Sequence, residues 1–175
     1  MAKKRRGMVT STNPLKKPVG LIRPKKVGRM ILSVCSKLKD IYDQGRNFNW
    51  EKPDKCKQCG STRVWGHGFV TAYFDGYSGC FYLKRYRCPD CCCVFLMKPE
   101  GYFDRFHASI DTINACLKSR LTTGRWPSYI GKSRQRHWLF ALKQKAVAWF
   151  GMGKDLLDAF KAFVSMEMIP VSRGK

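Results

Sequence analysis

Two Cys-x-x-Cys motifs constrain this chain more than any other feature of its sequence. They are Cys56-x-x-Cys59 and Cys88-x-x-Cys91, with 28 residues between them. Each motif turns tightly enough to direct two thiolates at one ion, and four thiolates complete a tetrahedral shell. We therefore predict one structural Zn²⁺ bound by these four cysteines. Zinc is favoured over iron because the spacing is typical of zinc ribbons and nothing in the sequence indicates redox chemistry.

The identity of the fourth ligand is open between Cys91 and its two neighbours. Cys92 and Cys93 follow Cys91 directly, so either one is an alternative fourth ligand. The Cys-x-x-Cys spacing favours Cys91, because two successive strand residues point to opposite faces of a sheet. The other three cysteines stand in apolar contexts and are predicted to be packing residues: Cys35, Cys80 and Cys116.

The net charge of the chain is the second constraint. The formal charge is +22, from 34 Lys and Arg against 12 Asp and Glu. Nucleic acid is the usual partner of such a surface, since every neutralised phosphate releases counterions and drives binding. No apolar run approaches the ~20 residues needed to cross a bilayer, so we expect no membrane partner. We expect a cytoplasmic, nucleoid-associated protein, in whose reducing environment cysteines bind metal rather than form disulfides.

Hydrophobic patterning divides the chain into four segments of an α+β protein. Residues 1–28 are basic and rich in proline, which predicts a disordered arm. Residues 29–55 are predicted to form an amphipathic helix over 29–44, closed by Gly45, and then a linker. Residues 56–100 are predicted to form the zinc ribbon, a β-hairpin carrying the two cysteine motifs. Residues 101–175 show helical periodicity and predict a small helical DNA-binding bundle.

The residues around the second cysteine pair resemble a known family. Cys56-x-x-Cys59-Gly-Ser, followed by Lys84-Arg-Tyr-Arg-Cys88-Pro-x-Cys91 and then Phe95, is similar to the zinc ribbons of bacterial insertion sequences. The InsA-type proteins and the N-terminal regions of several transposases carry such a ribbon before a helix-turn-helix. The resemblance covers about residues 56–150 and implies a DNA-binding protein of a mobile element, with any transposase or recombinase on a separate chain.

The helical segment contains a stretch that resembles part of a helix-turn-helix. Over residues 124–139, Pro127 is predicted to begin a short helix, Gly131 to form the turn and Ser133 to cap the next helix. The first turn of that recognition helix would contact base edges in the major groove. The predicted nucleic-acid contacts are Lys84, Arg85, Arg87, Arg120, Arg125, Lys132, Ser133, Arg134, Gln135, Arg136, His137 and Lys143. The alternative is a solvated basic helix anchored in the core by Trp138.

Three functions compete on this evidence. The leading interpretation is a zinc-dependent, sequence-selective DNA-binding accessory or regulatory protein of transposition or recombination. The second is an RNA-binding or ribosome-associated zinc protein, in which exposed aromatics would stack on bases. The candidates for stacking are Trp65, Tyr73, Phe81 and Tyr86, although aromatics at such positions more often form the hairpin core. An enzyme is not expected, because the 12 acidic residues are scattered, whereas metal-dependent phosphoryl transfer uses clustered carboxylates.

Overall fold

The structure, a computed structural model, describes residues 29–172. The predicted basic arm, residues 1–28, lies outside the described residues. The described residues form an α+β fold of four strands and four helices, with a 3₁₀ turn at Gly45–Asn47. Its elements are β1 (Arg29–Val34), α1 (Leu38–Gln44), β2 (Trp65–Ala72), β3 (Phe81–Arg87), β4 (Val94–Pro99), α2 (Ile110–Thr123), α3 (Lys132–Phe150) and α4 (Leu156–Ser165).

The four strands form one sheet in the order β1-β4-β3-β2. Strands β2 and β3 pair as the predicted antiparallel hairpin, with a register shift between Gly66 and Phe69. Strand β4 pairs antiparallel with β3, and β1 pairs parallel with β4. The hairpin prediction is confirmed, and the sheet extends two strands beyond it.

The predicted helix over residues 29–44 is wrong in its first half. Residues 29–34 are strand β1, and only Leu38–Gln44 is helical, with Gly45 as its C-cap as predicted. Met30, Ile31 and Val34 match a helical period, but burial along the segment alternates at every second residue. Pairing with β4 decides between the two periods, and that contact is too distant in sequence for local patterning to reveal.

Two separate hydrophobic cores support the molecule. The sheet core packs α1 and residues of the cysteine motifs against β3 and β4, around buried Ile41, Phe81 and Phe95. The helical core joins α2, α3 and α4 through side chains such as Ile113, Leu142 and Phe163. Helix α2 begins at its N-cap Ser109, whose Oγ accepts the Thr112 amide at 3.0 Å, and ends at Gly124. None of the helices within residues 29–172 is long and apolar enough to span a membrane.

The predicted helix-turn-helix detail is not what the structure contains. Residues 128–129 form a turn where the short helix was predicted, and α3 begins at Lys132. Gly131 is the N-cap of α3, so Ser133, predicted to cap this helix, lies within its first turn. The connection between α2 and α3 runs over residues 124–131, longer than the three or four residues that join the helices of a DNA-binding helix-turn-helix.

Several exposed side chains also differ from the predictions. Trp65 and Tyr73 are 61% and 57% exposed and do not belong to the hairpin core, whereas Phe81 and Tyr86 do. Cys35 was predicted to pack and is exposed, because it follows the end of β1, whereas Cys116 is buried as predicted. Strand β2 lies at the edge of the sheet and none of its residues is buried, whereas β3 buries residues on both of its sides.

Candidate metal centre and basic surfaces

The hairpin brings the two cysteine motifs together at one end of the sheet. The sulfurs of Cys56, Cys59, Cys88 and Cys91 all lie within 4.8 Å of one another, so these four residues can hold one metal ion. The Cys56 and Cys91 sulfurs are 3.5 Å apart, and those of Cys59 and Cys88 are 3.6 Å apart. Metal–sulfur bonds of about 2.3 Å in a tetrahedron require sulfurs about 3.8 Å apart. The sulfurs therefore stand close to the spacing of a filled four-thiolate shell.

The two motifs share one backbone geometry. The Cys56 amide donates to the Ser61 carbonyl at 2.8 Å, and the Cys88 amide donates to the Cys93 carbonyl at 3.0 Å. In both loops the residue just before that carbonyl has a left-handed φ, +74° at Gly60 and +60° at Cys92. Cys92 therefore occupies the position that glycine holds in the first motif.

The shared geometry of the two loops bears on whether Cys92 or Cys93 could replace Cys91 as the fourth ligand. Cys92 is committed to the left-handed turn, where its sulfur lies 3.9 Å from the Pro89 carbonyl oxygen. Cys93 is buried, and the group of sulfurs that can share one ion contains neither of the two. Cys91 is the residue of the run whose sulfur joins the group, as its spacing predicted.

Asp90 joins the two motifs outside the sulfur cluster and was not singled out from the sequence. Its carboxylate accepts hydrogen bonds from the Ser61 hydroxyl and from the Arg63 guanidinium, with Arg63 Nε at 3.2 Å from Oδ2. Ser61 and Arg63 directly follow the first motif, and Asp90 lies inside the second. Contacts of this kind orient the residues that bind a metal. No local sequence signal identifies this brace, because its members are 27 and 29 residues apart.

Crowding of the four thiols affects their ionisation. The backbone amide of Cys91 lowers the pKa of Cys88. The amide of Ser61 lowers the pKa of Cys59, but desolvation and hydrogen bonding with the thiols of Cys56, Cys91 and Cys88 outweigh it and raise that pKa to about 12. Neighbouring sulfurs therefore oppose full ionisation of the cluster. A bound cation removes this conflict, since a coordinated thiol is deprotonated outright.

A second group of predicted residues meets in a cleft between α2 and α3. Arg120 from α2 and Arg136 and Lys143 from α3 line a cleft of ≈330 Å³ together with Trp126, Leu139 and Phe140. The Arg120 guanidinium lies 5.2 Å from the Trp126 ring centre and donates to the Gly124 carbonyl. Between Asp111 and Asp155 the chain has no acidic residue. The cleft therefore combines three cations with aromatic walls.

Two of the predicted base-reading residues are engaged inside the protein. Gln135 is fully buried, and its Nε2 donates to the carbonyls of Pro127 at 2.8 Å and Ile130 at 2.5 Å. Arg134 forms an ion pair with Asp75 of the hairpin turn and lies 5.1 Å from the Trp138 ring centre. Both side chains position α3 against its surroundings, so the Gln135 amide nitrogen and the Arg134 guanidinium are already engaged. Among the described residues, Gln135 Oε1 is buried without a hydrogen-bond partner.

The other predicted contacts are distributed over the surface. Lys132, Ser133 and His137 are exposed on the first turns of α3, and Arg125 is exposed in the loop before it. Lys84 lies 4.4 Å from the Phe69 ring centre, and Arg87 is exposed on the same strand. Comparisons with protein families, with curated proteins and with solved structures find no match to this chain.

Proposed function

We propose that this chain is a zinc-dependent DNA-binding protein that acts as an accessory or regulatory factor of a mobile genetic element. The cleft between α2 and α3 carries the proposal, because it gathers Arg120, Arg136 and Lys143 from two helices around aromatic side chains. Guanidinium and ammonium groups neutralise phosphates, and arginine also pairs with guanine edges. No catalytic step is proposed.

Zinc is the metal of this proposal because four thiolates form its common closed structural shell. Metal analysis of protein purified under reducing conditions is expected to find one zinc per chain. Iron at that stoichiometry, or no metal in the folded protein, would overturn the zinc assignment.

The contacts proposed here differ from those expected from the sequence alone. Gln135 and Arg134 are left out of the DNA contacts because internal groups engage them. Arg136 replaces Arg134 as the candidate for base contact, since it is exposed and lines the cleft. Lys143, two turns further along α3, is the candidate for phosphate contact.

The test is a set of binding titrations on duplex DNA over a range of salt concentrations. Lys143→Ala is expected to weaken binding to all duplexes alike and to reduce the salt slope by about 1. Arg136→Ala is expected to cost about 1–3 kcal/mol on a preferred site and much less on random DNA. Lys39→Ala is the control, because Lys39 is exposed on α1 and does not line the cleft. Equal losses in all three variants would reject the cleft as the DNA site.

The mobile-element assignment depends on the resemblance of the cysteine motifs and hairpin to insertion-sequence ribbons. Its test is a selection for bound sequences from the DNA that flanks the reading frame. Enrichment of element termini or of the promoter supports the assignment, whereas enrichment of unrelated sequences rejects it. The second candidate, an RNA-binding zinc protein, is favoured by exposed Trp65 and Tyr73. A preference for structured RNA over duplex DNA in direct competition would establish it instead.

A further inference from the structure

The sheet has an outer face whose composition differs from that of its buried face. Strand pairing places Arg29 opposite Val94, Val94 opposite Arg87, and Arg87 opposite Trp65. These four residues form one row across all four strands, because directly paired residues project from the same face. The next row, two residues along, contains Ile31, Leu96 and Arg85.

The row between these two projects from the opposite face. It contains Met30, Phe95 and Tyr86, of which Phe95 and Tyr86 are 0% and 5% exposed. Alternation along each strand therefore places the arginine rows on the side opposite Phe95 and Tyr86. Further along β3 the same side carries Phe81 and Leu83, which are buried, so the open part of this side is limited to the two rows. Trp65 is 61% exposed and Ile31 is 38% exposed, while Arg29 and Arg87 are also exposed. The first two rows form a surface that we call the arginine face: Arg29, Ile31, Trp65, Arg85, Arg87, Val94 and Leu96.

The charge of the arginine face is unbalanced. The four strands contain no Asp or Glu. Within residues 29–172, Arg29, Arg85 and Arg87 have no carboxylate within ion-pair distance. Beyond the β1 edge the charge is mixed, since Glu51 and Asp54 line a cleft there with three lysines. The positive charge of the two rows is therefore uncompensated, whereas the lysines at the sheet edge stand beside two carboxylates.

The width of the surface selects the form of nucleic acid. Strands lie about 4.8 Å apart, so four strands span about 14 Å between their outer backbones before side chains are counted. The major groove of duplex DNA is about 12 Å wide and admits a helix or a two-stranded ribbon. A four-stranded face is too wide to enter it. An unpaired strand can lie across such a face, with bases stacked on aromatic rings and phosphates beside arginines.

We infer that the arginine face binds an unpaired nucleic-acid segment, with one base stacked on Trp65 and phosphates held by Arg87, Arg85 and Arg29. The inference rests on the proposed function only in that the ligand is nucleic acid. It concerns a different surface and a different strand state from the cleft between α2 and α3. A cleft of ≈240 Å³ adjoins the face at Leu96, and its lining includes apolar Val70 and Leu83 as well as the charged Lys98, Asp104 and Arg105.

The experiment measures the affinity of the full chain for short homopyrimidine oligonucleotides without secondary structure, in DNA and RNA forms. Trp65→Ala is expected to raise Kd about tenfold, the loss of one stacked base. Trp149→Ala is the matched control, because Trp149 is 57% exposed and lies on α3. Arg87→Ala is expected to lower the salt slope by about 1, whereas Lys84→Ala, on the same strand but packed over Phe69 on the other face, is expected to lower it less.

The outcomes separate this inference from the proposed function. A Trp65→Ala loss on either the DNA or the RNA oligonucleotide, absent from Trp149→Ala, supports the arginine face. Equal Kd values for the two tryptophan variants overturn it, and a continued effect of Lys143→Ala on duplex DNA then leaves the cleft intact. If Trp65→Ala weakens single-strand binding while the cleft variants leave duplex binding unchanged, the proposed function fails and the arginine face remains.

Discussion

The sheet half of this protein, built on β1 to β4 and α1, and the helical half, built on α2 to α4, form their cores from different kinds of side chain. In the sheet half, buried Cys56, Cys88 and Cys93 belong to the core itself, so the cysteine cluster and the hydrophobic packing are continuous. In the helical half, α2, α3 and α4 enclose aliphatic and aromatic side chains, with Cys116 as an ordinary packing residue. A small sheet buries less apolar surface than three packed helices do, so a metal held by the four cysteines would contribute a larger part of its stability. Stability of the two halves is therefore expected to respond to different changes.

The largest loss of stability is expected from a substitution in the cluster of four cysteines. Cys59→Ser is expected to release the metal and unfold the sheet half, because structural zinc contributes on the order of 10 kcal/mol in small domains. Metal analysis and near-ultraviolet circular dichroism measure the loss, and far-ultraviolet spectra are expected to retain the signal of the helices. Cys35→Ser, which changes an exposed cysteine outside the cluster, is the control. A folded sheet in metal-free Cys59→Ser protein would contradict the comparison.

The second largest loss of stability is expected from a substitution in the helical core. Leu142→Ala, at a fully buried position, is expected to lower the free energy of unfolding by about 2–5 kcal/mol, because it removes packed methyl groups and leaves a cavity. Denaturant unfolding followed by far-ultraviolet circular dichroism measures the change, with metal content unaltered. Val147→Ala on the same helix, at a 49% exposed position, is expected to change it by less than about 0.5 kcal/mol.

A polar contact inside the helical half ranks third. Gln135→Ala is expected to cost about 1–3 kcal/mol, because the carbonyls of Pro127 and Ile130 lose their donor. Thermal unfolding measures the loss, and exposed Gln144→Ala is the control on the same helix. If Gln135 served only to contact DNA, the substitution would change DNA affinity and leave the melting temperature unaltered.

Because the two cysteine loops share one backbone geometry, two substitutions at equivalent positions are expected to change the stability in opposite directions. Gly60→Ala is expected to destabilise the metal-bound protein by about 1 kcal/mol, because φ is +74° there. Cys92→Gly is expected to be neutral or to stabilise by up to about 1 kcal/mol, since glycine adopts the φ of +60° without strain. Unfolding in excess zinc measures both, and metal loss on Cys92→Gly would show that Cys92 is a ligand after all.

The smallest effect is expected where the two halves meet. The Arg134–Asp75 ion pair is partly exposed, with side chains 40% and 30% accessible, so its coupling energy is expected to be below about 1 kcal/mol. A double-mutant cycle of Arg134→Ala and Asp75→Ala measures it through unfolding in denaturant. Coupling of several kcal/mol would mean that the halves unfold as one unit.

The four clustered cysteines, the hairpin between them and the three-helix segment could be predicted from local patterns. Cys-x-x-Cys spacing needs only a tight turn. The α3 period predicts Trp138, Leu142, Ala146 and Trp149 on one buried face, and the first three are buried whereas Trp149 is 57% exposed. The predicted helix over residues 29–44 is wrong in its first half because Met30 and Val34 fit both the helical period and the alternation of a strand. The predicted roles of Arg134 and Gln135 need revision because Asp75, Pro127 and Ile130 engage them, two partners lying in a nearby turn and one in the distant hairpin.

The sequence by itself determined the charge, the identity of the four candidate metal ligands and the presence of helices in the C-terminal half, since each depends on composition or short spacing. Only the tertiary structure decided which basic residues lie close together. Arg120, Arg136 and Lys143 meet because two helices pack against each other, and Arg29, Arg85 and Arg87 share a face because three strands pair in one register. Register and packing are set by contacts between residues far apart in the chain, which no local pattern encodes.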